Sequence, residues 1–325
     1  MKPRDIIAKA WAITKKERIL RKWGFADALL HTLLNAKLFL FQAWLIYSYF
    51  ILENPIGFFT IERTLLENLP LWLAISIITF FFALLFIEWL FPNLAKGAII
   101  GLAAKSYRKE EVKGGLVLGI YNFFPLFALH EILFLSSVTT VITLCSLMLR
   151  YGAGAGPIGA ILLVTAWLIS NVFEFFWIFS EEAVVIKKTG IRGGIHQSFK
   201  LVISYLGHVV FLMLLLFVII LRIVANLFMV ILIPGLVLGL GFLLATFLPP
   251  AVSYSITTVL GLIIIGFASY FFAYLEIFRQ TVWTITYIEL SALKDLDIIE
   301  AEDEKYIKIV EGEEEKYVKV DSLQK

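Results

Sequence analysis

Hydrophobic positions in this chain do not alternate with polar ones; they run on. Six long apolar stretches, each closed by charged or glycine- and proline-rich segments, occupy residues 27–52, 70–91, 115–148, 157–186, 201–233 and 253–289. An apolar run of about 20 residues is enough to cross a bilayer as a helix, so the pattern predicts six transmembrane helices. Continuous runs, rather than short alternating segments, argue against a β-barrel. The second and fourth runs open on Pro70 and Pro157, where a first helical turn loses no hydrogen bond by lacking an N–H. Pro125 predicts a kink in the third. Several runs exceed the bilayer thickness and must tilt, kink or project beyond it. A further stretch, 235–247, is bracketed by Pro234-Gly235 and Pro249-Pro250 and reads as a short outer-face or re-entrant helix.

Before the first run, residues 1–26 mix basic side chains with Ile7, Trp11, Ile19 and Trp23, paired at i, i+4. This predicts an amphipathic helix in the headgroup plane, broken at Gly24 before the first span. The late apolar run, behind Lys15, Lys16, Arg18, Arg21 and Lys22, does not read as a cleavable signal. After the last run, residues 291–325 hold 11 acids and 6 bases, net −5, against net +7 for residues 1–290. Within this tail, 302–309 recurs as 313–320, and the alternation in both copies predicts a β-hairpin around Glu311-Gly312. The expected organisation is an interfacial helix (1–26), a six-helix membrane domain (27–290) and an acidic cytoplasmic tail (291–325).

Composition agrees with the pattern: 60% of the residues are hydrophobic, with a mean hydropathy of +0.88. Charge adds the orientation. With both termini inside, 24 of the 28 lysines and arginines fall on the cytoplasmic side, counting Arg279 near the inner end of the last run, while only Arg63 and Arg150 lie outside. Lys37 and Arg222 fall within spans. The expected location is the cell membrane, as a multi-pass protein. The basic excess suits anionic headgroups rather than nucleic acid, for which no motif is present. The lone Cys145 has no intrachain disulfide partner.

One polar interruption is written twice. Val112-Lys113-Gly114-Gly115-Leu116 matches Ile191-Arg192-Gly193-Gly194-Ile195 at a spacing of 79. Both copies are expected on the cytoplasmic side between an inward and an outward helix. Spans two and three would then be an earlier copy of spans four and five, a parallel internal repeat. Each twin reads as a re-entry loop, in which a basic residue anchors at the headgroups and the glycines allow a tight bend.

Several segments together resemble the multi-pass superfamily that includes the glycerophosphoryl diester phosphodiesterase membrane domain. They are Trp11…Trp23-Gly24-Phe25, Gly97-Ala98-Ile99-Ile100, Gly190-Ile191…Ile195…Ser198-Phe199 and Thr286-Tyr287-Ile288-Glu289-Leu290. The resemblance covers most of residues 1–290 and implies a helical membrane fold. It does not imply phosphodiesterase activity, because only a 35-residue tail follows the membrane part.

Charged side chains at membrane depth are costly and mark candidate sites. Glu88, His130, Glu131, Glu174, His208, Arg222 and Glu276 qualify. His130 and Glu131 form the expected buried polar site, a proton or cation position with Ser136 and Thr140 along a polar path. The bland alternative is that hydroxyls bond helix carbonyls and charges pair with one another. Glu181-Glu182 is similar to the paired glutamates of intramembrane CAAX-type proteases, but Ile186 stands where that motif needs arginine. There is no HExxH or Gly-x-Ser-x-Gly motif, and nothing in the sequence calls for a cofactor. The leading expectation is a non-enzymatic scaffold or accessory protein that organises envelope lipids or partners. A small transporter or channel using the His130-Glu131 site is the alternative. Expected partners are bilayer lipid, a cytoplasmic protein docked on the tail, and a second copy of the chain.

Overall fold

A computed structural model describes residues 2–50, 60–151, 156–303, 306–311 and 314–319. Side chains over most of 35–50, 222–242 and 295–319 lie outside the described set, which takes in most of the first apolar run and Arg222. The chain is helical. Four helices among the described residues are long and apolar enough to cross a membrane, or five if a sharply bent pair counts as one.

Helix α1, Pro3–Lys16, has proline in its first turn, Asp5 near its N-terminus and Lys15 and Lys16 in its last turn, all favourable to the helix dipole. It ends at Glu17, not at Gly24. Its inner face, Ile6, Ala10 and Thr14, is buried in protein rather than offered to lipid, and Trp11 packs edge-on against Phe278. Helix α2, Arg18–Phe50, carries Gly24 in its interior, where a Cβ would collide with Ile277. A short α3, Thr60–Asn68, leads into α4, Leu71–Tyr107. At 1.5 Å per residue α4 is about 55 Å long, nearly twice the roughly 30 Å hydrocarbon layer. It continues through Pro92, so the expected end of the second run at 91 is only where its surface changes.

The third apolar run is not one helix kinked at Pro125. Pro125 sits inside α5, Gly115–Ile132, and the break falls later, at a single 3-10 turn (Phe134–Ser136) before α6, Val138–Tyr151. The fourth run divides into α7, Gly156–Phe176, and α8, Ser180–Lys187. The fifth begins as α9, Ile191–Ser204, turns through 93° at Tyr205, and continues as α10, Leu206–Ala245. Since α10 passes through Pro234-Gly235 without interruption, 235–247 is its extension and not a separate re-entrant helix. The last helix, α11, spans Pro250–Asp303 and carries the first part of the expected tail. Strands β1, Tyr306–Glu311, and β2, Glu314–Lys319, follow as an antiparallel pair with Tyr306 opposite Lys319.

Burial is concentrated at one end. The lower part of α4, from Asn93 to Ala104, is almost wholly buried and rich in small residues. These let α5 approach closely: a Cβ on Gly119 would lie 2.6 Å from the Leu94 carbonyl oxygen. Phe179 on α8, Val202 on α9 and Val282, Ile285 and Tyr287 on α11 close one core, joined by Ile6 and Ala10 of α1. Leu20, Ile99, Leu102 and Ile277 form a second beside it. We call this packed end the base.

Candidate functional site

The densest gathering of charge is set in the base, where α2, α4, α8 and α11 meet. Lys96, from the buried stretch of α4, places its Nζ 2.7 Å from Glu181 Oε1 on α8. One turn below on α11, Arg279 Nη2 donates to Glu276 Oε1 at 2.7 Å. The next residue, Gln280, donates from Nε2 to Glu182 Oε1 at 2.8 Å, joining α11 to α8. Asp27 and His31, one turn apart on α2, lie within electrostatic reach of Lys96, Glu276 and Arg279. Lys96 and Glu181 keep 28% and 22% of their side-chain surface exposed, and Arg279 keeps 46%. The recess is therefore open at the surface of the chain. Glu182, by contrast, is 1% exposed and its second oxygen, Oε2, meets no donor among the described residues.

A second ionic contact lies two turns higher on α4. Glu88 is fully buried, and its Oε2 is 2.5 Å from Lys37 Nζ on α2. The ammonium also sits 5.3 Å from the centre of the Phe81 ring, a favourable cation–π distance. Glu88 Oε1 has no donor among the described residues. Lower down, Ser106 Oγ donates to Glu17 Oε1 at 3.0 Å and Tyr107 donates to Glu289, so polar contacts run down the whole α4 face that meets α1, α2 and α11.

The expected His130-Glu131 pair is not a sealed pocket. His130 is 50% and Glu131 35% exposed. Glu131 Oε1 accepts from Trp89 Nε1 at 3.0 Å and lies 3.3 Å from His130 Nδ1. Ser136 serves the helix break, where Thr140 contributes its backbone N–H. Ser136 Oγ donates to the Leu133 carbonyl, and its own carbonyl accepts from Trp167 Nε1 on α7 at 3.0 Å. The Thr140 N–H is directed to Ser137 Oγ at 3.4 Å. These bonds satisfy backbone groups exposed by the break between α5 and α6.

The two glycine twins have different jobs. In the first, Lys113 pairs with Glu111 on the surface, Gly114 takes φ +81 as the turn residue, and Gly115 starts α5 where a Cβ would meet Trp23 Nε1 at 2.5 Å. The second is not a loop: Arg192, Gly193 and Gly194 lie inside α9. Gly194 is there for close approach, since a Cβ would come within 2.8 Å of Val184 and 3.0 Å of the Ser180 carbonyl oxygen on α8. On the same helix, buried Ser198 accepts from the Phe179 N–H at 3.0 Å and donates to the Phe176 carbonyl at 2.9 Å. One hydroxyl thus repairs the break between α7 and α8.

Lys96, Arg279 and His31 do not stand out by hydropathy, which places Lys96 beyond the second apolar run and His31 and Arg279 near the ends of the first and last. A signal for them does exist. Asp27/His31 at i, i+4 and Glu276/Arg279/Gln280 at i, i+3, i+4 put polar groups on one helical face. Among the described residues, no three His, Cys, Asp or Glu side chains come together as a metal site. Compared with protein-family models, curated proteins and solved structures, the chain has no match.

Proposed function

We propose that the chain is a six-span protein of the cell membrane, with both termini cytoplasmic and a parallel internal repeat. In this reading it works as a non-enzymatic scaffold or accessory protein that holds envelope lipids or partners against its apolar helices. The observation that carries this is the contrast between a locked base and open spans. Charged groups are largely consumed in tying helices together: Lys96 to Glu181 and Glu182 to Gln280 in the base, and Lys37 to Glu88 two turns above it. Above it, none of the apolar window of α7 and only 11% of that of α4 is buried within the chain. Rigid anchorage with broad free apolar faces is what a lipid- or partner-organising protein needs.

The repeat has backbone support. Among the described residues only two non-glycine positions have positive φ, Lys109 (60°) and Lys188 (54°), each just past the end of its helix. Their separation is the same 79 residues that relates the two glycine twins. A lysine in the left-handed region is uncommon enough that this coincidence favours a common origin.

Native mass spectrometry from lipid nanodiscs tests the function. Retention of a stoichiometric lipid or protein partner supports the scaffold reading; a bare chain carrying neither would sink it. The transporter reading draws its support from the Lys37–Glu88 pair, an ionic contact between two otherwise apolar helices. It expects solute or ion flux in proteoliposomes that Glu88→Gln and Glu131→Gln each abolish; unchanged flux in both removes it.

A further inference from the structure

The charged recess of the base is unbalanced. Its two cations are each held by one carboxylate, Lys96 by Glu181 and Arg279 by Glu276. That leaves Asp27 and Glu182 with no cation at ion-pair distance among the described residues. The groups facing Glu182 are Glu181 on its own helix, Lys96 on α4, and Arg279 and Gln280 on α11. Gln280 satisfies one carboxylate oxygen; Oε2 is buried and meets no donor from another residue among those described. An uncompensated carboxylate held out of water is expensive, and one positive charge at that oxygen removes the penalty. The excess is small and the donor set sparse, with no three-ligand group of the kind a divalent metal requires.

We propose that the recess is a binding site for one monovalent cation, a proton or an alkali ion, received at Glu182 Oε2. The partly exposed Lys96–Glu181 pair forms its wet side and supplies the route of access. Occupancy neutralises the carboxylate that Gln280 holds against α11, so the cation strengthens the α8–α11 contact. This is independent of whether the spans serve lipids, partners or solutes.

The test is thermal unfolding of the full chain in nanodiscs, with NaCl or KCl compared against choline chloride at equal ionic strength, and then across a pH series. A midpoint that rises with sodium or potassium, in the wild type only, assigns an alkali ion. A midpoint indifferent to alkali ions but lost as pH rises, with Glu182→Gln flat over the same range, assigns a proton. Glu62→Gln, on the exposed α3, is the control and should respond as the wild type does. If Glu182→Gln does not fold, Glu181→Gln is read instead and should weaken the response, because Glu181 is the negative charge that faces Glu182. Wild type and variant responding alike to both series would overturn the proposal.

Discussion

Helix α4 is two helices in one. Its upper part presents Trp72 (71% exposed) and Phe80 (70%) outward, while one helix-length lower Ile99 and Leu102 are sealed at 1% or less. The backbone is equally helical in both halves, but what holds each in place differs. Apart from Glu88, which pairs with Lys37, the upper half is mostly apolar and suits a hydrocarbon surrounding, since its backbone groups are satisfied internally. The lower half is assembled like the core of a soluble domain. Small residues there admit α5, and α2, α8 and α11 cover the remaining sides. Substitutions should therefore be read very differently on either side of Pro92.

The largest contrast is between buried and exposed aromatics. Phe179→Ala or Tyr287→Ala, removing fully buried rings from the base, should cost about 3–5 kcal/mol of unfolding free energy. Phe80→Ala should cost almost nothing in a single chain. Denaturant titration in detergent or nanodiscs checks both. A cost at Phe80 matching that at Phe179 would break the comparison and show that the upper face is covered in the membrane by another protein surface.

Two further substitutions sharpen it. Gly119→Ala forces a methyl against the Leu94 carbonyl, a backbone atom that cannot swing aside, and should cost about 1–3 kcal/mol. Gly24→Ala meets Cδ1 and Cγ1 of Ile277, a side chain that can change rotamer where a backbone carbonyl cannot, and should cost less. A reversal of that order, measured as unfolding midpoints, would mean that α4 and α5 are more loosely joined than their geometry requires. Ser198→Ala removes the acceptor for the Phe179 N–H, leaving a buried donor unpaired, at about 1–3 kcal/mol. Its signature should be local: faster hydrogen exchange at 177–180, with the α4–α5 hairpin unchanged.

How far these features could be read from the sequence follows the same division. Continuous apolar runs announced helices, because in lipid a helix needs no partner to explain it. Positions of the breaks were not legible where packing, not glycine or proline, makes them. The chain turns through 93° at Tyr205 with only Gly207 nearby and no proline, while Pro92, Pro125 and Pro234 lie inside helices. Gly193-Gly194 suggested a loop because glycine is a poor helix former; contact of Gly194 with α8 outweighs that preference. Lys96 was hidden for a related reason. Counting spans put the membrane boundary at 91, so a lysine five residues on looked like a loop anchor, yet α4 carries it to Glu181. The polar site is made where long helices converge, and hydropathy alone marks their apolar lengths, not which side chains meet.

The smallest expected effect probes the upper region directly. Gly261 and Gly266 lie in α11 above the base, and a Cβ at either would meet nothing within 4 Å. Glycine in a helix interior costs roughly 0.5–1 kcal/mol relative to alanine through backbone freedom. If these faces meet only lipid, Gly261→Ala and Gly266→Ala should be neutral or stabilising by up to about 1 kcal/mol. If instead the glycines admit a second helix from another chain, the added methyls would hold that helix off, as small residues at membrane helix interfaces permit close backbone approach. Stability measured in dilute nanodiscs, one chain per disc, would then stay level or rise, while cross-linking yield at high protein-to-lipid ratio would fall. Neutrality in both settings leaves lipid as the surface that these helices meet.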